Sequence, residues 1–195
     1  MKNVILINED TDLTLSFNIK ESWDEVYLGD FLKLMDLIQI KDKLNIEDFF
    51  TQMLCIISDV NKDDLLEIPV SELNKLSAYF NLFTDLNLKT EVPEYILLGD
   101  VIYVPKKNMS NLTVHETVLL NTIREKSKNN TEVFLGMLTI LIRRGYQKEV
   151  DGKNKYFQYK INDDDIEESR KIFPEKMPSS VSIPLLHFFL SGMKK

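Results

Sequence analysis

Residues Ser22–Leu37 read SWDEVYLGDFLKLMDL, and the hydrophobic period changes within them. Upstream, LTLSFNI alternates, with Leu13, Leu15, Phe17 and Ile19 on one face, the period-two signature of a half-buried strand. From Leu28 the spacing is helical. Leu28, Phe31, Leu32, Met35 and Leu34, Leu37, Ile38 leave only Gly29, Lys33 and Asp36 as a narrow polar stripe. A strand therefore gives way to a helix packed on several sides. Trp23, the one tryptophan, is expected as a packed anchor at the junction, with Asp24, Glu25 and Asp30 at the helix's positive end.

Working outward, VILI, NEDTD and LTLSFNI predict a first hairpin. Asn45 to Ser58 predicts a second helix, with Ile46, Phe49, Phe50, Met53, Leu54 and Ile57 on one face. Asn61 reads as an N-cap with Asp64 in the following turn, and Ser71 as the N-cap of a helix carrying Leu73, Leu76, Phe80 and Phe83. YILLGDVIYVP predicts a second hairpin with Gly99-Asp100 in a type II′ turn. Thr113 and Glu116 have capping-box spacing at the start of another helix. The next helix is expected to end at IRRGY, with Arg143 and Arg144 at its negative end and Gly145 as left-handed cap. A third hairpin turns at Asp151-Gly152, NDDDIEESRKIF predicts a helix, and PEKMPSS breaks the chain before VSIPLLHFFLSGMKK.

The expected fold is α+β and mainly helical, with six to seven short helices and about three β-hairpins. One compact domain spans 1–173, and 174–195 forms a Pro-broken linker and an apolar helix. The halves can be superposed as sequence, 13–58 on 96–143. Leu112 then meets Val26, Val114 Leu28, Glu116 Asp30, Val118 Leu32, Leu120 Leu34 and Ile123 Leu37, while Glu132 meets Glu47, Phe134 Phe49 and Leu138 Met53. Duplication of a hairpin-helix-helix unit explains this, and so does the general likeness of short amphipathic helices.

Composition narrows the function. A net charge of -7 argues against a general nucleic-acid binder, whose affinity comes from clustered Lys and Arg. No apolar run reaches membrane-spanning length, and MKNVILINEDTD is too short in its apolar part for a signal peptide. Cys55 alone excludes an intramolecular disulfide, which fits a reducing compartment. With one alanine and many Asn, Lys, Ile and Asp, the usage is that of a G+C-poor genome, and the sequons at Asn108, Asn111 and Asn129 follow from that abundance.

No catalytic, cofactor or metal residues are assigned. His115 and His187 lie in helical segments without an evident nucleophile partner. Asp59, Asn61 and Asp63 open like a calcium loop, but Asp64 stands where glycine is needed and Val70 where glutamate is needed. Two readings stand for the last segment: a helix docked on its own core, or a partner-binding helix offering Ile183, Leu185, Leu186, Phe188, Phe189 and Leu190.

The run IKESWDEVYLGDFLKLMDL, then DVNKDDLLEIPVSELNKL, then YILLGDVIYVPKKNMSNLTVHETVLL resembles the tail-assembly-chaperone-like and virion-associated small proteins of tailed bacteriophages, with the style of crAss-like phages of Bacteroidales. The likeness covers roughly residues 17–145 and departs at His115, where those proteins often have Gly. It implies a non-enzymatic role without cofactors, in the virion or host cytoplasm. The partners it implies are other virion proteins, tail or portal components, or copies of the chain itself. The residues leave open a soluble host-directed regulator or inhibitor that binds a host protein through an acidic surface.

Overall fold

The computed structural model describes residues 1–76 and 91–193. The fold is α+β and mainly helical, with eight α-helices and two antiparallel sheets among the described residues. The three expected hairpins are present. The chain divides into two compact units, Met1–Asn87 and Leu88–Lys195, where the sequence suggests a single domain over 1–173.

The first unit opens with a hairpin, β1 (Lys2–Asn8) and β2 (Leu13–Ile19), in register from Lys2↔Ile19 to Asn8↔Leu13. Val4, Leu6, Phe17 and Ile19 are buried on one face, as alternation requires. Residues 23–25 form a turn rather than a continuation of the strand. Trp23 is buried there, edge-on to Phe31 with ring centres 6.1 Å apart. Helix α1 (Leu28–Gln39) buries Leu28, Leu32, Leu34 and Leu37, and α2 (Ile46–Ile57) buries Met53, Leu54 and Ile57. Asn45 caps α2 by accepting from the Asp48 N–H at 2.7 Å.

DVNKDDLLEIPVSELNKL folds into two short helices, α3 (Lys62–Leu66) and α4 (Val70–Asn74). Pro69, not Ser71, occupies the N-cap of α4, since its fixed φ suits the residue entering a helix and Ser71 is already inside. Phe80 and Phe83 lie outside the described residues.

The second unit repeats the order. Strands β3 (Ile96–Leu98) and β4 (Val101–Pro105) form a hairpin with Gly99 at positive φ, as the first position of a type II′ turn requires. Helices α5 (Val114–Lys126) and α6 (Asn130–Leu141) follow. The expected capping box is formed in full: Thr113 Oγ1 accepts from the Glu116 N–H, and the Glu116 carboxylate accepts from the Thr113 N–H.

The end of α6 differs from the sequence expectation. The helix stops at Leu141, and Ile142 enters strand β5 (Ile142–Val150), so Arg143 and Arg144 are strand residues. The Leu141 carbonyl accepts from the Lys106 N–H at 2.8 Å and from Gln158 Nε2 at 3.1 Å, so cross-chain donors take the place of a helical cap. Gly145 is not left-handed. A Cβ there would sit 2.4 Å from the Phe157 carbonyl oxygen and from Val104 Cγ2, so glycine is needed for close strand approach. Strand β6 (Lys153–Gln158) returns antiparallel and completes the order β3-β4-β5-β6. Asp151 and Gly152 both have positive φ, the type I′ turn that DG favours.

Helix α7 (Asp163–Lys176) runs through Pro174, and α8 (Ser179–Gly192) follows after Met177-Pro178. The expected linker from 174 is thus only two residues long. Fully buried Phe173 and Met177, joined by a Met177 N–H bond to the Phe173 carbonyl at 3.0 Å, hold the last turn of α7 despite the proline. Tyr103 and Phe173 meet edge-on at 5.1 Å in the core of this unit.

Each unit repeats the same internal contacts as well as the same order. The Lys20 N–H donates to the Ile57 carbonyl at 2.9 Å, and Lys106, equally placed after its hairpin, donates likewise to Leu141. Lys20 pairs with Asp30 in the first turn of α1, and Lys106 with Glu116 in the first turn of α5. Asn129 caps α6 through the Glu132 N–H at 2.8 Å, as Asn45 caps α2. These anchors move the α2–α6 superposition by one residue from the one the sequence suggests. Asn45 now meets Asn129, Phe50 Phe134, Met53 Met137, Leu54 Leu138 and Ile56 Ile140, all identities.

Candidate functional site

The six apolar residues of the last segment do not form one free face. Leu185, Leu186 and Phe189 are buried within the second unit, while Ile183, Phe188 and Leu190 are half-buried. The i, i+1, i+4 row 185, 186, 189 is the inward stripe of α8, so docking on its own unit accounts for half the set. The open side of Phe188 lines a shallow groove of about 360 Å3 with Met109, Ser110 and Lys107.

The polar centre of the second unit is a locked ion cluster. Glu116 is completely buried, and its carboxylate meets Lys106 Nζ at 2.9 Å and Arg143 Nη2 at 2.7 Å besides accepting from Thr113. Burial alone would raise its pKa. The Thr113 N–H, the Lys106 ammonium and the Arg143 guanidinium outweigh that and hold it below the usual carboxylate range. Every acceptor site faces a partner, so the cluster braces the β4-α5-β5 junction.

Other chemistry-bearing residues also have local duties. Asp59 accepts from the Asn18 backbone N–H at 2.6 Å and from Asn18 Nδ2 at 3.0 Å, which lowers its pKa and closes the end of the β2 edge. Glu25 accepts from the N-terminal ammonium and from the Glu21 N–H, and its pKa is lowered in that order of cause. Asp30 pairs with Lys20 and Lys33, beyond the helix-end role expected for it. Cys55 is half-buried, and burial pushes its thiol pKa up. His115 and His187 are both exposed. No group of three or more His, Cys, Asp or Glu placed to hold a metal occurs among the described residues, and no described helix is long and apolar enough to cross a membrane.

The exposed apolar residues among those described include three sets on named elements. On α5, Val114 is 82% exposed and Val118 54%, one turn apart, whereas their counterparts on α1, Leu28 and Leu32, are 0% and 5% exposed. On the β5–β6 arm, Tyr146, Phe157 and Tyr159 lie side by side, with ring centres 5.7 and 5.1 Å apart, and all three are exposed. On the β1–β2 hairpin, Ile5 and Ile7 project from the outer face at 60% and 48% exposure. Sequence reading found the elements but not these faces. The spacing of Phe157 and Tyr159, two residues apart and so on one face of an extended chain, carried the signal for the arm.

No protein-family model matches the chain, and neither a curated protein nor a solved structure does.

Proposed function

We propose that this chain is a non-enzymatic protein of bacteriophage virion or tail assembly, a tail-assembly chaperone or a virion-associated protein, working through apolar helix contacts with tail or portal components. The carrying observation is the bare valine pair of α5. Exposing two β-branched side chains one turn apart forgoes about 1.5–3 kcal/mol of burial for each. The equivalent leucines of α1 are buried. Val114 also falls in NLTVHE, part of the stretch that carries the likeness to phage assembly proteins. Helix-in-groove recognition uses such i, i+4 anchors.

Mass spectrometry of purified virions tests the role. A chaperone is absent from mature particles and recovered with tail components from infected cells, whereas a structural or packaged protein is present in both. Recovery with neither overturns the proposal. Val114→Asp with Val118→Asp should abolish co-purification while leaving cooperative unfolding intact.

A second reading, a regulator that masks a basic site on a host protein, is favoured by the charge of the first unit. Met1–Asn87 holds 7 Lys and 17 Asp or Glu, a net -10, while Leu88–Lys195 holds 17 Lys or Arg and 14 acids, a net +3; together they give the chain's -7. Capture of one host protein from uninfected cells, weakening with salt, would support that reading over assembly.

A further inference from the structure

The charge division has a local form on two hairpins. In the β5–β6 arm, the pairs Tyr146↔Phe157, Lys148↔Lys155 and Val150↔Lys153 share one face, since cross-strand partners and every second residue point the same way. That face carries Tyr159, Tyr146 and Phe157 near the base and Lys148, Lys155 and Lys153 toward the turn. Like charges directly opposite one another destabilise a strand pair, yet Lys148 and Lys155 are so placed. Among the described residues, the one ion pair these three lysines make is Lys155 with Asp151, at 3.9 Å.

The β1–β2 hairpin has the same arrangement with opposite sign. Its outer face bears Ile5 and Ile7, opposite Ser16 and Thr14, and its turn carries Glu9, Asp10 and Asp12, all exposed. None of these three acids has an ion-pair partner among the described residues. Apolar side chains lie before the turn and charge lies at it, in both hairpins.

We infer that the β5–β6 arm of one copy docks on the outer face of the β1–β2 hairpin of a second copy, aromatic rings over Ile5 and Ile7 and lysines against Glu9, Asp10 and Asp12. The contact joins different surfaces of the two copies, so it propagates head to tail, into a ring where the rotation closes and a filament where it does not. Charge sets orientation and encounter rate, and the apolar patch supplies the burial. Nucleic acid also favours cations with aromatics. The acidic hairpin of matching layout favours a protein occupant, and that occupant is on the same chain.

Sedimentation of the full chain at about 50 mM and about 500 mM salt tests this. The mass should rise with concentration at low salt, and at high salt the same rise should need a higher concentration, because salt screens the lysine–acid part of the contact and leaves the apolar part. Lys148→Glu with Lys155→Glu, and separately Glu9→Lys with Asp10→Lys, should each weaken association by about tenfold or more, since like charges would then face each other. Mixing the two variants, or placing all four changes in one chain, should restore it. Circular dichroism checks that each variant is folded. The proposal fails if the wild type is monomeric up to about 100 μM, a concentration that reveals even weak contacts. It also fails if the variants associate normally, if mixing restores nothing, or if the contact forms at all concentrations within one chain. Association abolished by nuclease would assign the arm to nucleic acid instead and overturn it.

Discussion

Both units place a lysine just after a hairpin and an acid in the first turn of the next helix, but they bury the pair to different depths. Lys20 and Asp30 meet at 2.5 Å with both side chains partly in solvent. Glu116 is sealed between Lys106 and Arg143. The second cation is available because α6 gives way to a strand at Ile142, which brings Arg143 onto the carboxylate. In the first unit the matching position after α2 is Asp59, which would repel Asp30 and instead binds Asn18. The chain there makes one bridge, Ile19↔Ser58, and leaves for α3. A single charge choice thus goes with two outcomes: an arg-braced extended arm in one unit and a closed hairpin edge in the other.

Glu116→Gln breaks this contrast most strongly. It leaves two partly buried cations without their counter-charge, an expected loss of about 3–5 kcal/mol in denaturant unfolding. Asp30→Asn removes a carboxylate that keeps 19% exposure and can still be hydrated, so it should cost less, about 1–2 kcal/mol. Equal costs would mean that burial depth does not distinguish the two locks. The same carboxyl sets an acid limit. Its pKa is lowered in the fold, so its stabilisation is present above the ordinary carboxylate range and is lost as pH falls through the folded value. Between neutral pH and about pH 3, the wild type should lose stability more steeply than Glu116→Gln.

Gly145→Ala tests the arm itself. With 2.4 Å to the Phe157 carbonyl, the added methyl must push β5 and β6 apart, at about 1–3 kcal/mol. Gly152→Ala, at positive φ but with nothing within 4 Å, should cost about 1 kcal/mol through backbone strain alone. Thermal unfolding of the pair checks the order. A milder effect at Gly145 would show that the strands can separate there without loss.

Elements with a local cause were legible in the sequence. The DG and GD turns, the Thr113–Glu116 capping box and the alternation of LTLSFNI depend on neighbours within a few residues, and each is found as read. What was missed depends on contacts distant in sequence. IRRGY reads as a helix end because Arg and Gly suit one, but the pairing Pro105↔Ile142 and the approach of Phe157 to Gly145 decide otherwise. Pro174 reads as a breaker because the buried neighbours that hold its helix are not visible locally. Among candidate contact residues, α8 shows hydrophobicity without direction. Leu185, Leu186 and Phe189 are apolar because they face the core, whereas Val114 and Val118, which the superposition sets on the core residues Leu28 and Leu32, are bare. Net charge concealed a division, since -10 and +3 sum to an ordinary value.

The smallest expected effects should be the most alike. Asn45 and Asn129 each accept one backbone N–H three residues ahead, at 2.7 and 2.8 Å, on exposed helix starts of equal length. Replacing either by alanine leaves one orphan donor to water and should cost about 1 kcal/mol. If the units are built on one plan, the two losses should agree within about 0.5 kcal/mol and add in the double variant, because the sites share no partner. A large difference would place the likeness in sequence rather than in energetics. Trp23, the one tryptophan, reports the first unit, so its fluorescence should follow Asn45→Ala, while tyrosine and far-ultraviolet signals follow Asn129→Ala.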